Sequence, residues 1–139
     1  MQLILDTSAI IGWSRVDKQA FVGYQYRVSA LSRAEMVFGI RVAPSAAEKA
    51  KRIRRLNDCD MVSKWLPFDF GTADHYGELA EVVHKAGARM KARSTDIFVA
   101  AHAQQLGAGL VTFNCKDVRY LSHLIPIFDA ASGQQLHDE

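Results

Sequence analysis

Long apolar runs are missing from this chain. None approaches the roughly 20 residues needed to span a bilayer. Hydrophobic residues nevertheless make up 49% of the 139, so a buried core is within reach and a membrane anchor is not expected. The opening MQLILD meets an aspartate before an apolar signal segment can develop. A soluble, cytoplasmic protein is the expectation. Cysteine is scarce: Cys59 and Cys115 stand alone, with no metal-ligand spacing between them. Free thiols in a reducing compartment follow from that. Internal repeats, low-complexity tracts and obvious linkers are absent, and the length suits one compact domain over 1–139. Neither GxxxxGK[ST] nor GxGxxG occurs, which leaves a nucleotide-binding fold unsupported. The five histidines form no pair at helical spacing. His102 follows Asp96 by six positions, about 120° away round a helix, so a packed or surface histidine is expected there, not a general base.

Charge of one sign is also in short supply, with a net value of only +2. Its distribution says more. Lys49, Lys51, Arg52, Arg54 and Arg55 crowd one segment, and Arg89, Lys91 and Arg93 another. Either group can serve as a solvated face or as phosphate contacts. Arg89, Lys91 and Arg93 are the better candidates for phosphate contacts on a nucleic acid, because they lie just ahead of Asp96.

What is present is an alternation of short apolar strands and amphipathic helices. Gln2–Leu5, Arg27–Leu31, Trp65–Phe68, Leu110–Phe113 and Ile125–Phe128 read as strands. Thr7–Ser14, Lys18–Tyr24, Ser32–Val42, Ser45–Asn57, Thr72–Lys85 and Thr95–Leu106 read as helices, with Pro44 and Gly87 as stops. Strands that are apolar on both faces belong between layers of helix. The expected architecture is α/β, a three-layer α/β/α sandwich with a mainly parallel sheet. Ligands of such folds gather beyond the carboxyl ends of the strands.

Four acids fall at that edge. Asp6 directly follows the first strand, and Glu35 lies near the start of the helix after the second. Asp96 opens the helix at Ser94-Thr95-Asp96-Ile97, and Asp117 follows the strand Leu110–Phe113. Carboxylates packed together raise one another's pKa unless a cation compensates them. Mg²⁺ or Mn²⁺ is suited to that role, being a hard cation that prefers carboxylate oxygen and water. Each acid also has an ordinary reading. Asp6 can cap a helix. Ser32-Arg33-Ala34-Glu35 fits a capping box. Asp96 favours a positive helix terminus, and Asp117 can form a turn. Their joint position at one sheet edge favours a site.

With these residues in hand, the sequence resembles PIN-domain ribonucleases, and within them the VapC toxins of bacterial toxin–antitoxin pairs. LDTSAII is similar to the family's opening acidic motif and SRAEMVFGI to its glutamate-bearing helix. STDIFVAAHAQQLGAGLVTFNCKDV is similar to its third aspartate, alanine-rich helix, strand and closing Thr-x-Asn loop. The three segments occur in the expected order over nearly the whole chain. The closing loop departs from the usual pattern at Phe113 and Val118. The resemblance implies a metal-dependent endoribonuclease, a homodimer, held inactive by a cognate antitoxin that inserts near the active site. It implies Asp6, Glu35, Asp96 and Asp117 as metal-binding and catalytic acids. Thr112 and Asn114 are implied as supporting polar residues that hold a metal-bound water or orient Asp117, and Ser8 as doing the same beside Asp6. Trp13, Phe38 and Phe98 read as core or dimer interface.

Other classes fit less well. A phosphatase of the haloacid dehalogenase type needs a second aspartate two residues after the first, where Ser8 stands. A receiver domain needs an aspartate at the end of a central strand, and Val28–Leu31 offers none. The remaining alternative is a catalytically silent PIN-like module acting through protein or RNA contacts. Four retained acids argue against it.

Overall fold

The computed structural model describes residues 1–87 and 94–137, so Arg89, Lys91 and Arg93 lie outside the described residues. Five strands form one sheet: β1 (Gln2–Leu5), β2 (Gln25–Ser29), β3 (Trp65–Leu66), β4 (Gly109–Thr112) and β5 (Ile127–Asp129). Their order is β3-β2-β1-β4-β5, and every pairing is parallel. The connecting α-helices are α1 (Thr7–Ile11), α2 (Ala30–Arg41), α3 (Ala46–Val62), α4 (Phe70–Ala86), α5 (Ser94–Leu106) and α6 (Cys115–Val118). Lys18–Phe21, expected as an α-helix, is a 3₁₀ turn, as is Trp13–Arg15.

The period-two geometry of a strand sends neighbouring side chains to opposite faces. β1 therefore serves two cores. Ile4 joins Leu110 and Ile127 from the sheet with Leu79 of α4 and Ile97, Val99 and the alanines of α5. Leu3 and Leu5 join Val28 and Val111 with Ile10 of α1, Phe21 and Met36. That is why the sheet's segments are apolar throughout, and it makes the architecture the expected α/β type with helices on both faces. No helix among the described residues is long and apolar enough to cross a membrane.

The registers align the carboxyl ends of the central strands. Leu5 stands opposite Val28 on one side and Val111 on the other. The next residues, Asp6, Ser29 and Thr112, consequently occupy one row at the rim. α2 begins earlier than Ser32. Its N-cap is Ser29, whose hydroxyl accepts from the Leu31 N–H at 3.0 Å. Ser32 is buried inside the helix, and Glu35 falls in the second turn. The capping-box reading of Glu35 is thereby excluded.

α5 is buried on several sides, with Ala100, Ala101 and Ala103 fully inaccessible. Small side chains let it approach the sheet and α4 closely. His102 of this helix is 2% exposed, and its Nε2 has no hydrogen-bond partner among the described residues. Burial lowers its pKa, against a weaker upward pull from Asp69. A histidine harder to protonate when folded stabilises above its unfolded pKa, near 6.5. That contribution is lost as pH falls toward the folded value. The part of the wild-type Tm that His102 contributes is expected to fall between pH 7 and pH 5. His102→Gln should flatten that part of the profile in a thermal melt series, and an unchanged slope would show that His102 does not titrate on unfolding.

The carboxyl-terminal loop is closed by Gly133, at φ 74°, a region L side chains rarely adopt. A Cβ built there would lie 2.1 Å from the Ala20 Cβ. Gly133→Ala should therefore cost roughly 2 kcal/mol or more by combined backbone strain and overlap. Chemical denaturation would measure it, and a change within 0.5 kcal/mol would mean that the loop is not held against Ala20.

Candidate active site

Asp6 is the centre of the rim. Its backbone N–H continues the β1–β4 ladder by donating to the Val111 carbonyl at 3.2 Å. Its side chain then caps α1. Oδ1 accepts from the Ala9 N–H at 2.9 Å and from the Ser8 hydroxyl at 2.6 Å. Oδ2 accepts from the Thr112 hydroxyl at 2.5 Å. Both oxygens are thus oriented by groups from two different strand–helix junctions. The capping role that local sequence allowed Asp6 is real, and it coexists with its place at the rim.

Asp6 is 9% exposed. Burial pushes its pKa above the usual carboxylate range, the three hydrogen bonds pull it down in part, and the charge of Asp96 pushes it up again. Asp96 lies in the first turn of α5 and within electrostatic reach of Asp6. These two acids, far apart in sequence, are the pair the fold brings together.

Glu35 is tied in through Thr7, whose hydroxyl donates to Glu35 Oε1 at 2.7 Å and lies 3.0 Å from Ser32 Oγ. Thr7 follows Asp6 directly, so one dipeptide anchors two of the acids. Thr7 is a site residue that the sequence alone does not reveal. Its position between Asp6 and Ser8 was the available signal, but the partner on α2 was invisible. Asp117 stands in α6, its backbone N–H donating to the Asn114 carbonyl at 3.0 Å. Thr112 gives its hydroxyl hydrogen to Asp6, and its oxygen accepts from the Asn114 N–H at 2.9 Å. Ser8 Oγ also accepts from the Phe113 N–H at 3.0 Å. Ser8 and Thr112 are therefore Asp6 ligands, while Asn114 links Thr112 to the start of α6.

Among the described residues, no three Asp, Glu, His or Cys side chains are gathered tightly enough to form a ready cation site. The donor set at the rim nevertheless suits a hard divalent cation. It is made of carboxylates and hydroxyls, one carboxylate is buried against its preference for water, and a second negative charge lies nearby. No lysine or arginine among the described residues forms an ion pair with Asp6, Glu35 or Asp117. Cys115 adds nothing ionised: burial, with the charges of Asp129 and Asp6, pushes its thiol up to about 11.

The other sequence candidates lie away from this rim. Lys49, Lys51 and Arg54 are exposed on α3, and Arg52 is engaged by Glu48 at 3.0 Å and the Gly39 carbonyl at 2.6 Å. Phe98 packs between Phe68 and Tyr76, with centroids at 4.9 and 4.2 Å. Trp13 meets Tyr26 edge-on, and Phe38 is 66% exposed.

The model of a family described as "PIN domain" matches residues 3–119. No curated protein matches in sequence. Solved structures do match in fold. A VapBC-family toxin–antitoxin structure from Mycobacterium tuberculosis, VapBC-5, superposes with a TM-score of 0.77 at 22% identity, covering 89% of this chain and 93% of that one. VapBC-1 from nontypeable Haemophilus influenzae gives 0.75 at 22%, covering 95% and 100%. DNA-bound VapBC from Salmonella typhimurium gives 0.70 at 20%, covering 93% and 98%.

Proposed function

The chain belongs to the PIN domain family, and from that premise we propose that it is a metal-dependent endoribonuclease, the toxin of a type II toxin–antitoxin pair. The observation that carries the reading is the buried Asp6 carboxylate at the carboxyl end of the central strand. It is fixed by Ser8, Ala9 and Thr112 and destabilised in its ionised form by burial and by Asp96. Asp6 and Asp96 would hold Mg²⁺ or Mn²⁺, with Glu35 as a further ligand or the group that orients water. Asp117 would act on a second ion or through water. When bound, the ion lowers the pKa of water and offsets charge building on the phosphodiester.

The chain's own groups prepare that site. Ser8 and Thr112 hold both Asp6 oxygens in one rotamer, so little ordering remains when substrate arrives. Thr7 sets Glu35 against α1. Asn114 braces the loop that carries Asp117. RNA is the substrate this reading assigns. An antitoxin is the assigned partner, in keeping with the toxin–antitoxin complexes among the structural matches. A basic side chain on such a partner would compensate the same carboxylates, and arginine's planar fork suits them. A homodimer in the cytoplasm is also part of the proposal. Val37, Phe38 and Val42 expose apolar surface along α2 that a second copy would cover.

The test is incubation of the purified chain with total cellular RNA and Mg²⁺ or Mn²⁺, followed by mapping of the new ends. Discrete cuts that vanish in an Asp96→Asn variant are expected. A folded wild type that leaves RNA intact with both metals would sink the reading.

A further inference from the structure

The acidic rim has a cationic neighbour that the sequence did not single out. Arg15 ends the 3₁₀ turn after α1, and its guanidinium carbon lies 5.1 Å from the centroid of the Phe113 ring. Phe113 directly follows Thr112, and its N–H donates to Ser8 Oγ, so the ring's backbone is braced by two groups that hold Asp6. Gly12 makes the arrangement possible. A Cβ there would sit 2.7 Å from Phe113 Cε2 and 2.9 Å from Arg15 Nη2.

Arg15 differs from the other cation–ring pairs in what its donors do. Lys18 stacks on Trp13, but its ammonium donates to the Trp13 carbonyl at 2.7 Å. Arg33 lies over Trp65 and is paired with Asp60 at 2.6 Å. Arg119 lies over Tyr120 and donates to its hydroxyl at 3.0 Å. The Arg15 guanidinium is exposed and has no acceptor among the described residues. Stacking on Phe113 holds it over the ring of the residue next to Thr112, with its N–H groups free for a planar or tetrahedral oxyanion.

We propose that Arg15, seated on Phe113, binds a phosphate of the RNA strand next to the one that is cut. This rests on the endoribonuclease reading above. Arg15 is then a substrate-binding residue and Phe113 its positioning residue. The contact exists in both ground and transition states, so it acts on KM and leaves kcat nearly alone.

The experiment uses the full chain and a short single-stranded RNA carrying one mapped cleavage site, with Mg²⁺ or Mn²⁺ at several salt concentrations. Arg15→Ala is expected to raise KM about tenfold at low salt with little change in kcat. It should also lower the slope of log KM against log salt by about 0.7, the value for one released counterion on a single strand. Phe113→Leu should reproduce both effects, and Phe113→Tyr, which keeps the ring face, should restore them toward wild type. Thermal melts confirm that each variant is folded. Unchanged KM and salt slope in Arg15→Ala, with an active wild type, would overturn this inference alone. So would a Phe113→Tyr no better than Phe113→Leu, or an Arg15→Ala that cleaves normally but loses a copurifying protein. A wild type that neither binds nor cuts the RNA would overturn the nuclease reading, and this inference with it.

Discussion

Asp6→Asn is expected to abolish RNA cleavage, by about a thousandfold or more, while the chain stays folded. The two halves of that result have separate causes. The proposed activity requires a full negative charge at the rim, which asparagine lacks. Folding depends on capping α1, and asparagine caps as well as aspartate. Its carbonyl oxygen can still accept from the Ala9 N–H. The amide nitrogen then faces Thr112, whose hydroxyl can turn to accept, so the lost geometry costs about 1 kcal/mol. Set against this is the removal of a buried charge. Because burial raises the Asp6 pKa, the folded state is favoured while the group is protonated and loses that advantage as pH climbs through the raised value. Above that raised value the metal-free wild type carries the penalty of an ionised, buried carboxylate, and Asp6→Asn does not. The variant should melt close to the wild type or above it. Added Mg²⁺ should raise the wild-type Tm and leave the variant's unchanged. Turnover near wild type in Asp6→Asn would remove Asp6 from the chemistry. Asp117→Asn should cost less, because the groups that orient Asp6 are Ser8, Ala9 and Thr112, and Asp117 is not among them.

The features legible in the sequence were those written in local pattern. β1 and β4 could be read because a strand between two helical layers is apolar at every position, and Leu3, Ile4 and Leu5 feed both cores. α5 was legible because an alanine-rich stretch ended by Gly107 has few other ways to fold. The start of α2 was not, for a local reason. Ser29 and Ser32 are both good caps, and the periodicity does not say which is used. The sheet decides, since Ser29 still pairs with Leu66 of β3 and the chain turns immediately after. The one-helix-turn error that resulted also gave Glu35 a false capping partner. Lys18–Phe21 misread for a related reason: apolar Phe21 is buried as a helix would have it, yet too few backbone bonds form for more than a 3₁₀ turn.

For the site, residue types could be read and partners could not. Aspartate after a strand is visible in one dimension. The hydroxyls of Ser8 and Thr112 converging on it from either side are not, because that convergence depends on the β1–β4 register. Thr7 to Glu35 and Arg15 to Phe113 are further cases, each joining segments with no sequence relation. In a parallel fold the crossover connections make nearly all functional contacts non-local, so a motif names candidates and the sheet edge selects among them.

Chelation is expected to stop cleavage completely, and excess Mg²⁺ or Mn²⁺ to restore it, with products ending in 5′-phosphate and 3′-hydroxyl groups. The competing route to RNA cleavage uses the substrate's own 2′-hydroxyl and leaves a 2′,3′-cyclic phosphate. It needs a general base and a general acid within hydrogen-bond reach of the reacting oxygens, and histidine is the usual supplier near neutral pH. No histidine shares a hydrogen bond with Asp6, Glu35 or Asp117 among the described residues. His102 shares α5 with Asp96, but it is buried in the helix core with its pKa lowered by desolvation. His75 is engaged with Gln104 at 2.7 Å, on the α4–α5 contact. His84 is exposed near the end of α4, and His123 and His137 are exposed beyond α6. Cys115 lies close enough to feel the Asp6 charge, but its thiol is pushed up to about 11 and is not a base at pH 7. The rim offers carboxylates instead, and a carboxylate pair without a cation works against its own ionisation. The proposed chemistry would therefore depend on an ion that a chelator removes. Incubation with EDTA, then readdition of metal, followed by end-group analysis of the fragments, measures all of this in one series. Cleavage that persists in EDTA, or fragments ending in a cyclic phosphate, would rule the carboxylate-and-metal mechanism out whatever the fold.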